Sequence, residues 1–512
     1  MNRRFLTPLA FLSSGLLLIQ AGPASAAPAG PLSLHPANPH YFLFRGQPTV
    51  LITSGEHYGA VLNLDFDYVK YLDTLARDGL NLTRTFSGAY VEPLGAFNIA
   101  SNTLAPAAGR FICPWARSET PGYPNGGNKF DLTRWDEAYF RRLKNFVAQA
   151  GKRGVVVELN LFCPFYEESQ WRLSPQNAAN NINGVGDVAR TNVYTLDKNG
   201  ELLAVQEAMA RKIVTELSQF DNVYYEICNE PYFGGVTLEW QHHIADVIVE
   251  TEQNRPGLPS NGHTPGRSRE GNGISGRRAQ LLSPGGVGGE FHLISRNVAN
   301  GKAKIENPYP AVSIFNFHYA SPPDTVALNY GLNKVIGDNE TGFRGTNDLP
   351  YRSEAWSFIL AGGGLFNHLD YSFVAGHEAG NFVYPAKQPG GGNSAFRRQM
   401  KVLGEFIRSF DFVKMKPLNS ALSTPVDGGA RAYVLAEPDK AYAVYLAPDD
   451  EKAAPREAVV SLEVPEGNYR AEWVNPLTGK VDKRETVKSK KGLIVLTAPP
   501  YREDMALKLI KK

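Results

Sequence analysis

Three cysteines in 512 residues are too few to staple a fold, and Cys113, Cys163 and Cys228 cannot all pair with one another. Their spacing suits no zinc site either, so no structural metal is expected. Cys113-Pro114 and Cys163-Pro164 each follow a strand-like or loop segment. In an oxidising compartment these two could be joined, and the sequence leaves that pairing open. A surplus of one charge is also missing. The 53 Lys and Arg residues against 51 Asp and Glu leave a net +2, which offers no argument for a nucleic acid or another polyanion as partner. No stretch beyond the first 26 residues is apolar and long enough to span a bilayer.

Those first residues have a separate logic. Arg3 and Arg4 precede an apolar core from Phe5 to Ile19, and Ala24-Ser25-Ala26 follows, which together read as a secretory signal. Thr7, Pro8, Ser13 and Ser14 interrupt the core, and a membrane anchor needs about 20 apolar residues in a row. Residues 1–26 are therefore set apart from the fold. The mature chain is expected to be secreted or periplasmic, with no membrane insertion.

Glycine, proline, tyrosine and phenylalanine are plentiful, as long surface loops require. From Tyr41 the elements become regular. Tyr41–Phe44 and Thr49–Thr53 flank a turn at Arg45-Gly46-Gln47-Pro48, a hairpin suited to closing the bottom of a barrel and leading into a first strand. Further strands are predicted at Asn81–Phe86, Val155–Leu161, Val223–Ile227, Phe291–Ser295, Val312–Phe317, Lys334–Gly337 and Gly364–Leu369. Helical periods fall between them, at Phe66–Arg77, Arg134–Arg153, Leu203–Phe220, Thr237–Gln253, Ser353–Leu360 and Ala395–Phe410, with short connections between strands five and seven. Alternating strands and helices imply a parallel sheet, and eight of them a (β/α)8 barrel over residues 27–414. Two long insertions, Ser87 to about Leu132 with Tyr90, Glu92, Trp115 and Tyr123, and Phe162–Glu201 with Glu167, Glu168 and Trp171, fall on the face where a barrel builds its cleft. Arg255–Glu290, with Arg267, Arg269, Arg277 and Arg278, has no apolar period and reads as a solvated loop. From about Lys416 short strands split by turns predict an antiparallel β-sandwich over 415–512. No row of aromatics marks it as a sugar-binding module, so it is expected to brace the barrel.

Chemistry concentrates where two strands run out. Asn222–Pro231 reads Asn-Val-Tyr-Tyr-Glu-Ile-Cys-Asn-Glu-Pro, and Pro231 cannot continue a ladder, which leaves Asn229 and Glu230 at a strand end. Val335-Ile336-Gly337 leads likewise into Asp338-Asn339-Glu340-Thr341-Gly342. A carboxylate at the C-terminal end of a barrel strand reads as catalytic. Asn229-Glu230-Pro231 after a Tyr-Glu-Ile strand, with a later strand ending in Glu340, resembles the clan A glycoside hydrolases, the retaining (β/α)8 glycosidases that include the family 5 cellulases and mannanases.

The resemblance implies roles residue by residue. Glu230 would be the general acid/base, with its pKa raised, and Glu340 the ionised nucleophile. Asn229 would hold the sugar 2-hydroxyl, Arg84 would orient the nucleophile, and His318-Tyr319, closing strand six, would place a tyrosine hydroxyl on Glu340. Glu226 would be a buried partner for Arg84. The sequence also departs from the family. Asn160 stands where a histidine is usual near the end of strand three or four, and Asn367-His368-Leu369-Asp370-Tyr371 stands where a tryptophan follows strand eight. Glu56, His57, Asp338, His368 and Asp370, all at strand ends, are candidates for shaping the subsite around the reacting sugar. The expected activity is hydrolysis of O-glycosidic bonds in a poly- or oligosaccharide by double displacement, with no metal or cofactor. The alternative is a carbohydrate-binding or transglycosylating relative on the same scaffold. Oligomeric state is not encoded in these patterns.

Overall fold

β-Branched, leucine-rich and aromatic segments pair in parallel to build the centre of the molecule. In the computed structural model residues 30–255, 291–426, 430–448 and 457–512 are described. The expected signal and the arginine-rich stretch from 256 to 290 lie outside them. The strands are β1 (Leu51–Gly55), β2 (Leu82–Phe86), β3 (Val156–Phe162), β4 (Val223–Cys228), β5 (Ile294–Asn300), β6 (Ile314–His318), β7 (Val335–Thr341) and β8 (Leu365–Leu369). They form one sheet in the order β1-β8-β7-β6-β5-β4-β3-β2, with every ladder parallel. Asn81, just ahead of β2, nearly closes the ring: its Oδ1 accepts from the Ile52 N–H at 2.8 Å and its Nδ2 donates to the Val50 carbonyl at 2.9 Å. The sheet is thus a TIM barrel.

Helices α1 (Tyr68–Arg77), α2 (Glu137–Lys152), α3 (Leu202–Leu217), α4 (Leu238–Gln253), α5 (Asp324–Asn329), α6 (Asp348–Leu360) and α7 (Ser394–Arg408) cover its outside. Side chains of Asp67, Asp136, Thr237, Asn347 and Asn393 cap the orphan N–H groups of five of them, which is why these helices start where they do. Helix α5 has only 6 residues and the β5–β6 connection has none, in keeping with the short connections expected there.

Two strands differ most from their predicted bounds. β5 starts at Ile294 rather than Phe291 and runs on to Asn300, and β7 continues past Gly337 to Thr341. Apolar content ends early in both, but their polar residues face a polar layer inside the barrel and stay in the ladder. The insertion after β2 also carries structure that its composition concealed. Trp115–Pro121 and Asn128–Trp135 pair as an antiparallel hairpin, whose core is a buried Trp115 with Tyr123 packed on Phe111 and Phe130.

Below the barrel, the hairpin of Phe42–Phe44 with Gln47–Thr49 acts as a plug. Leu32, Phe42 and Phe44 pack on Leu51, Leu82, Val156, Tyr224, Ile314, Val335 and Leu365, the first inward residues of seven strands. At the C-terminus a six-stranded antiparallel sheet and the pair Val459–Glu463 with Leu493–Thr497 form the sandwich. Three of its strands, Lys416–Pro417, Val481–Ser489 and Met505–Lys511, escape the sequence reading, the second because charged residues fill a sheet edge. One face of the large sheet, with Leu435, Ala443, Tyr445 and Ala506, joins the barrel core; the other, with Val444, Trp473 and Leu507, makes a second core with Leu462 and Leu496.

A buried ion pair locks this contact. Arg352 of α6 donates to both oxygens of Asp504 at 2.9 and 3.0 Å and to Gln399 at 2.9 Å, while Tyr445 donates to Asp504 at 2.8 Å. Replacing Arg352 with methionine strands a buried carboxylate, at a cost of about 3–5 kcal/mol. The expected result is a clear fall in the denaturation midpoint, and an unchanged midpoint would show that the pair does not hold the two parts together.

Candidate active site

Inward positions alternate along each strand, so Leu82, Arg84 and Phe86 share one face of β2. The layer above the apolar floor is polar. Arg84 is fully buried; its Nη2 donates to Glu226 and, at 2.6 Å, to Asn229 Oδ1, and its Nη1 donates to Glu340 at 3.2 Å. Asn316 and Asn339 each donate to Glu158 at 2.9 Å and to Glu226 at 2.8 and 2.6 Å. Burial, reinforced by Glu226, pushes the Glu158 carboxyl well up, whereas Arg84 overcomes burial and holds Glu226 below the ordinary range. The neutral form is thus favoured at Glu158 and the carboxylate at Glu226, and Arg84 is fixed in place by fully buried partners.

Glu230 and Glu340 stand on this platform. Glu230 follows β4 with φ +34°, a left-handed backbone that a non-glycine residue adopts only under constraint. Glu340 is turned inward by a β-bulge: β7 carries one extra residue against both β6 and β8 between Asp338 and Thr341. Asn339 and Glu340 consequently both face inward, while Thr341 faces out and donates to Glu354 of α6 at 2.9 Å. Tyr319 donates to Glu340 Oε1 at 2.8 Å, Tyr58 to Oε2 at 3.0 Å. With Arg84, three donors converge on Glu340, which accepts as a carboxylate. Tyr58 and Tyr319 also have positive φ, +59° and +52°.

Glu230 has different company. Tyr166 donates to its Oε2 at 2.6 Å, Tyr232 to its Oε1 at 3.2 Å, and His318 Nδ1 lies 3.0 Å from Oε1. The same imidazole nitrogen lies 3.5 Å from Glu340, and facing donor atoms of Glu230, His318 and Glu340 all fall within 4.8 Å of one another. One expectation is corrected here. Burial alone would raise the Glu230 pKa, but His318, Tyr166 and Tyr232 outweigh it and hold the carboxyl below its ordinary range in the unliganded site.

A cavity of about 310 Å³ opens over the pair, lined by both glutamates, Asn229, Tyr319 and His57. The remaining candidates lie off it. Glu56 is consumed by its own loop: it accepts from the N–H groups of Gly59 and Ala60 at 2.9 and 3.2 Å and from Thr103, and burial pushes its pKa up to about 7. Asp338 points outward beside Glu354, where burial and that like charge raise it strongly. His368 meets Ser54 at 3.0 Å and is pushed down to about 3 by burial and by Arg397; Asp370 pairs with Arg397 at 2.6 Å. Asn160 is buried at the end of β3 without a side-chain partner. The three cysteines are free and buried, so the Cys113–Cys163 bond is not formed. Trp115 and Trp171 pack loops instead of facing the cavity.

Sequence reading missed Tyr58, Tyr166 and Tyr232, which complete the hydrogen bonding of the pair. Tyr232 follows Glu230 by two residues and offered a local signal; Tyr58 and Tyr166 reach it only through the barrel's closure. The trio of Glu230, His318 and Glu340 is of a type that binds divalent ions, but Arg84 already places a positive charge on Glu340, which weighs against a cation there. Among the described residues no helix is long and apolar enough to cross a membrane.

Residues 110–255 match the family model described as Cellulase (glycosyl hydrolase family 5), a span that includes β3, β4 and Asn229-Glu230. Among solved structures, a glycoside hydrolase from Bacteroides vulgatus is 12% identical with a TM-score of 0.63, covering 95% of this chain and 83% of its own. A family 5 glycoside hydrolase from the same organism is also 12% identical, with a TM-score of 0.59 and 94% of both chains covered. At that identity the likeness is one of fold. No curated protein matches the chain. Barrel and family match together define the class: this is a glycoside hydrolase on a TIM barrel. More narrowly, the stretch 110–255 is similar to glycosyl hydrolase family 5, and a β-rich C-terminal part follows the barrel.

Proposed function

We propose that the chain is an exported retaining glycoside hydrolase that cleaves O-glycosidic bonds of a poly- or oligosaccharide by double displacement, over a catalytic barrel of residues 27–414 and a bracing domain of 415–512. The observation that carries this reading is the pair of carboxyls, Glu230 and Glu340, whose oxygens approach within 4.8 Å across one cavity. Retaining enzymes hold their carboxyls about 5–5.5 Å apart, and inverting enzymes need roughly 6.5–9.5 Å to admit a water.

In the first step Glu340 attacks the anomeric carbon as the bond to the leaving oxygen breaks, and Glu230 delivers its proton to that oxygen. In the second, Glu230 takes a proton from water, the water oxygen attacks the anomeric carbon, and Glu340 departs as a carboxylate. Arg84, Tyr58 and Tyr319 present three donors to Glu340, which keep its reactive oxygens aimed at the cavity. Asn229, tied to Arg84 and donating to Tyr166 at 2.9 Å, lies beside the pair where a sugar 2-hydroxyl would sit. Proton NMR of the first-formed product, followed before mutarotation, is expected to show the substrate's own anomeric configuration. An inverted product would remove Glu340 as nucleophile. Activity is expected to survive chelation by EDTA.

A further inference from the structure

The cavity has two unlike parts, one polar and buried and one apolar and exposed. Deep inside, Glu92 is 3% exposed, accepts from Tyr90 at 3.1 Å and Asn102 at 3.2 Å, and lies 3.5 Å from His57 Nε2. That wall offers a carboxylate to the hydroxyls of a single buried sugar. The mouth is different. Phe97, Phe233 and Phe343 line it and remain 37–43% exposed, with Tyr232 packed beside Phe233 at 5.0 Å, although large aromatics with that much free surface are costly unless something covers them. They come from the loops after β2, β4 and β7 and touch through Tyr166 into one rim: Phe97 meets Tyr166 at 5.3 Å and Phe343 at 6.5 Å, and Tyr166 meets Phe233 at 5.7 Å. Phe97 itself is held at φ +54°.

The tyrosine hydroxyls at this mouth are already engaged. The hydroxyl of Tyr166 is on Glu230, the single proton of Tyr232 is shared between Glu230 and the Asn300 side-chain carbonyl oxygen, and Tyr319 is on Glu340. A second sugar placed here would desolvate its hydroxyls against rings that cannot repay them. The rings also meet edge-on, at 87° for Phe97 with Tyr166 and 77° for Phe97 with Phe343, so they form a funnel and not a flat platform. Glu230 stands at the foot of that funnel. Because the acid protonates the leaving oxygen, the leaving group occupies the apolar end.

The geometry points to a glycoside with an apolar aglycone, alkyl or aryl, as the substrate class, with one sugar buried at the polar end. This rests on the proposed roles of Glu230 and Glu340, and puts a glycoside of one sugar in place of the poly- or oligosaccharide as substrate.

The test uses the full-length protein. A panel of 4-methylumbelliferyl glycosides first identifies the sugar; methyl, butyl and octyl glycosides and a disaccharide of that sugar are then compared. The expected result is a rise in kcat/KM of about tenfold or more from methyl to octyl, as partial burial of each methylene predicts, with the octyl glycoside preferred to the disaccharide. Phe97→Ser with Phe233→Ser is expected to lower the octyl-to-methyl ratio. A flat series, or preference for the disaccharide, overturns the apolar aglycone while leaving the glycosidase standing. No turnover of any aryl glycoside overturns the glycosidase reading and this inference with it.

Discussion

Glu340→Ala is expected to lose activity by ~10^4-fold or more, the scale on which removing a covalent nucleophile acts, and azide is expected to restore a part of it as a glycosyl azide of inverted configuration. The environment of Glu340 explains why rescue should work. Arg84 Nη1 at 3.2 Å, Tyr319 at 2.8 Å and Tyr58 at 3.0 Å remain after truncation, so a small anion entering the vacated space meets three donors and a buried positive charge. Azide then attacks the anomeric carbon from the face the carboxylate used. Only one displacement takes place, which inverts the centre. Glu340→Gln is the companion variant: it keeps the volume, leaves no room for azide, and should stay inactive. An unimpaired Glu340→Ala protein would mean that the carboxyl closing β7 is not the nucleophile, and Asp338 could not replace it because that side chain points away from the cavity toward Glu354.

What made these residues findable is the regularity of the barrel. Eight apolar segments at alternating intervals fix which chain positions reach the upper rim, and Pro231 marks where β4 must stop. The same logic overreached at other strand ends. Glu56, Asp338, His368 and Asp370 lie at the rim by sequence position, yet whether a rim side chain points in or out depends on register. In β7 a bulge of one residue turns Glu340 inward and leaves Asp338 and Thr341 facing α6. Nothing in Asp338-Asn339-Glu340-Thr341 announces that extra residue. The fifth strand was shifted for a related reason: Asn297 and Asn300 look like loop residues, and their place in a strand depends on a polar barrel interior that no local window contains. Tyr58 and Tyr166 illustrate the same limit, since each reaches a glutamate far along the chain, at Glu340 and Glu230.

For Glu230→Ala the expected loss depends on the leaving group, which separates an acid from a residue that merely shapes the site. General acid catalysis contributes about 10²- to 10⁴-fold, and that contribution should vanish for a 2,4-dinitrophenyl glycoside, whose departing oxygen needs no proton, while remaining for an alkyl glycoside. A uniform loss on both substrates would remove Glu230 from the acid role. The pH profile gives a second measure. Glu230 must hold a proton to act, so kcat/KM falls as pH rises through its pKa. Burial pushes Glu230 up, but the hydrogen bond and charge of His318, with Tyr166 and Tyr232, bring it below the ordinary carboxyl range. The alkaline limb should therefore lie on the acid side of neutrality in the wild type. His318→Ala removes the largest lowering contribution and leaves burial less opposed, so the limb should move to higher pH even as overall activity drops. A limb that stays in place would show that His318 does not set the protonation of Glu230. Binding a substrate at the apolar mouth acts in the same sense as that substitution: it strips water from Glu230 and disfavours its charged form as the leaving oxygen arrives.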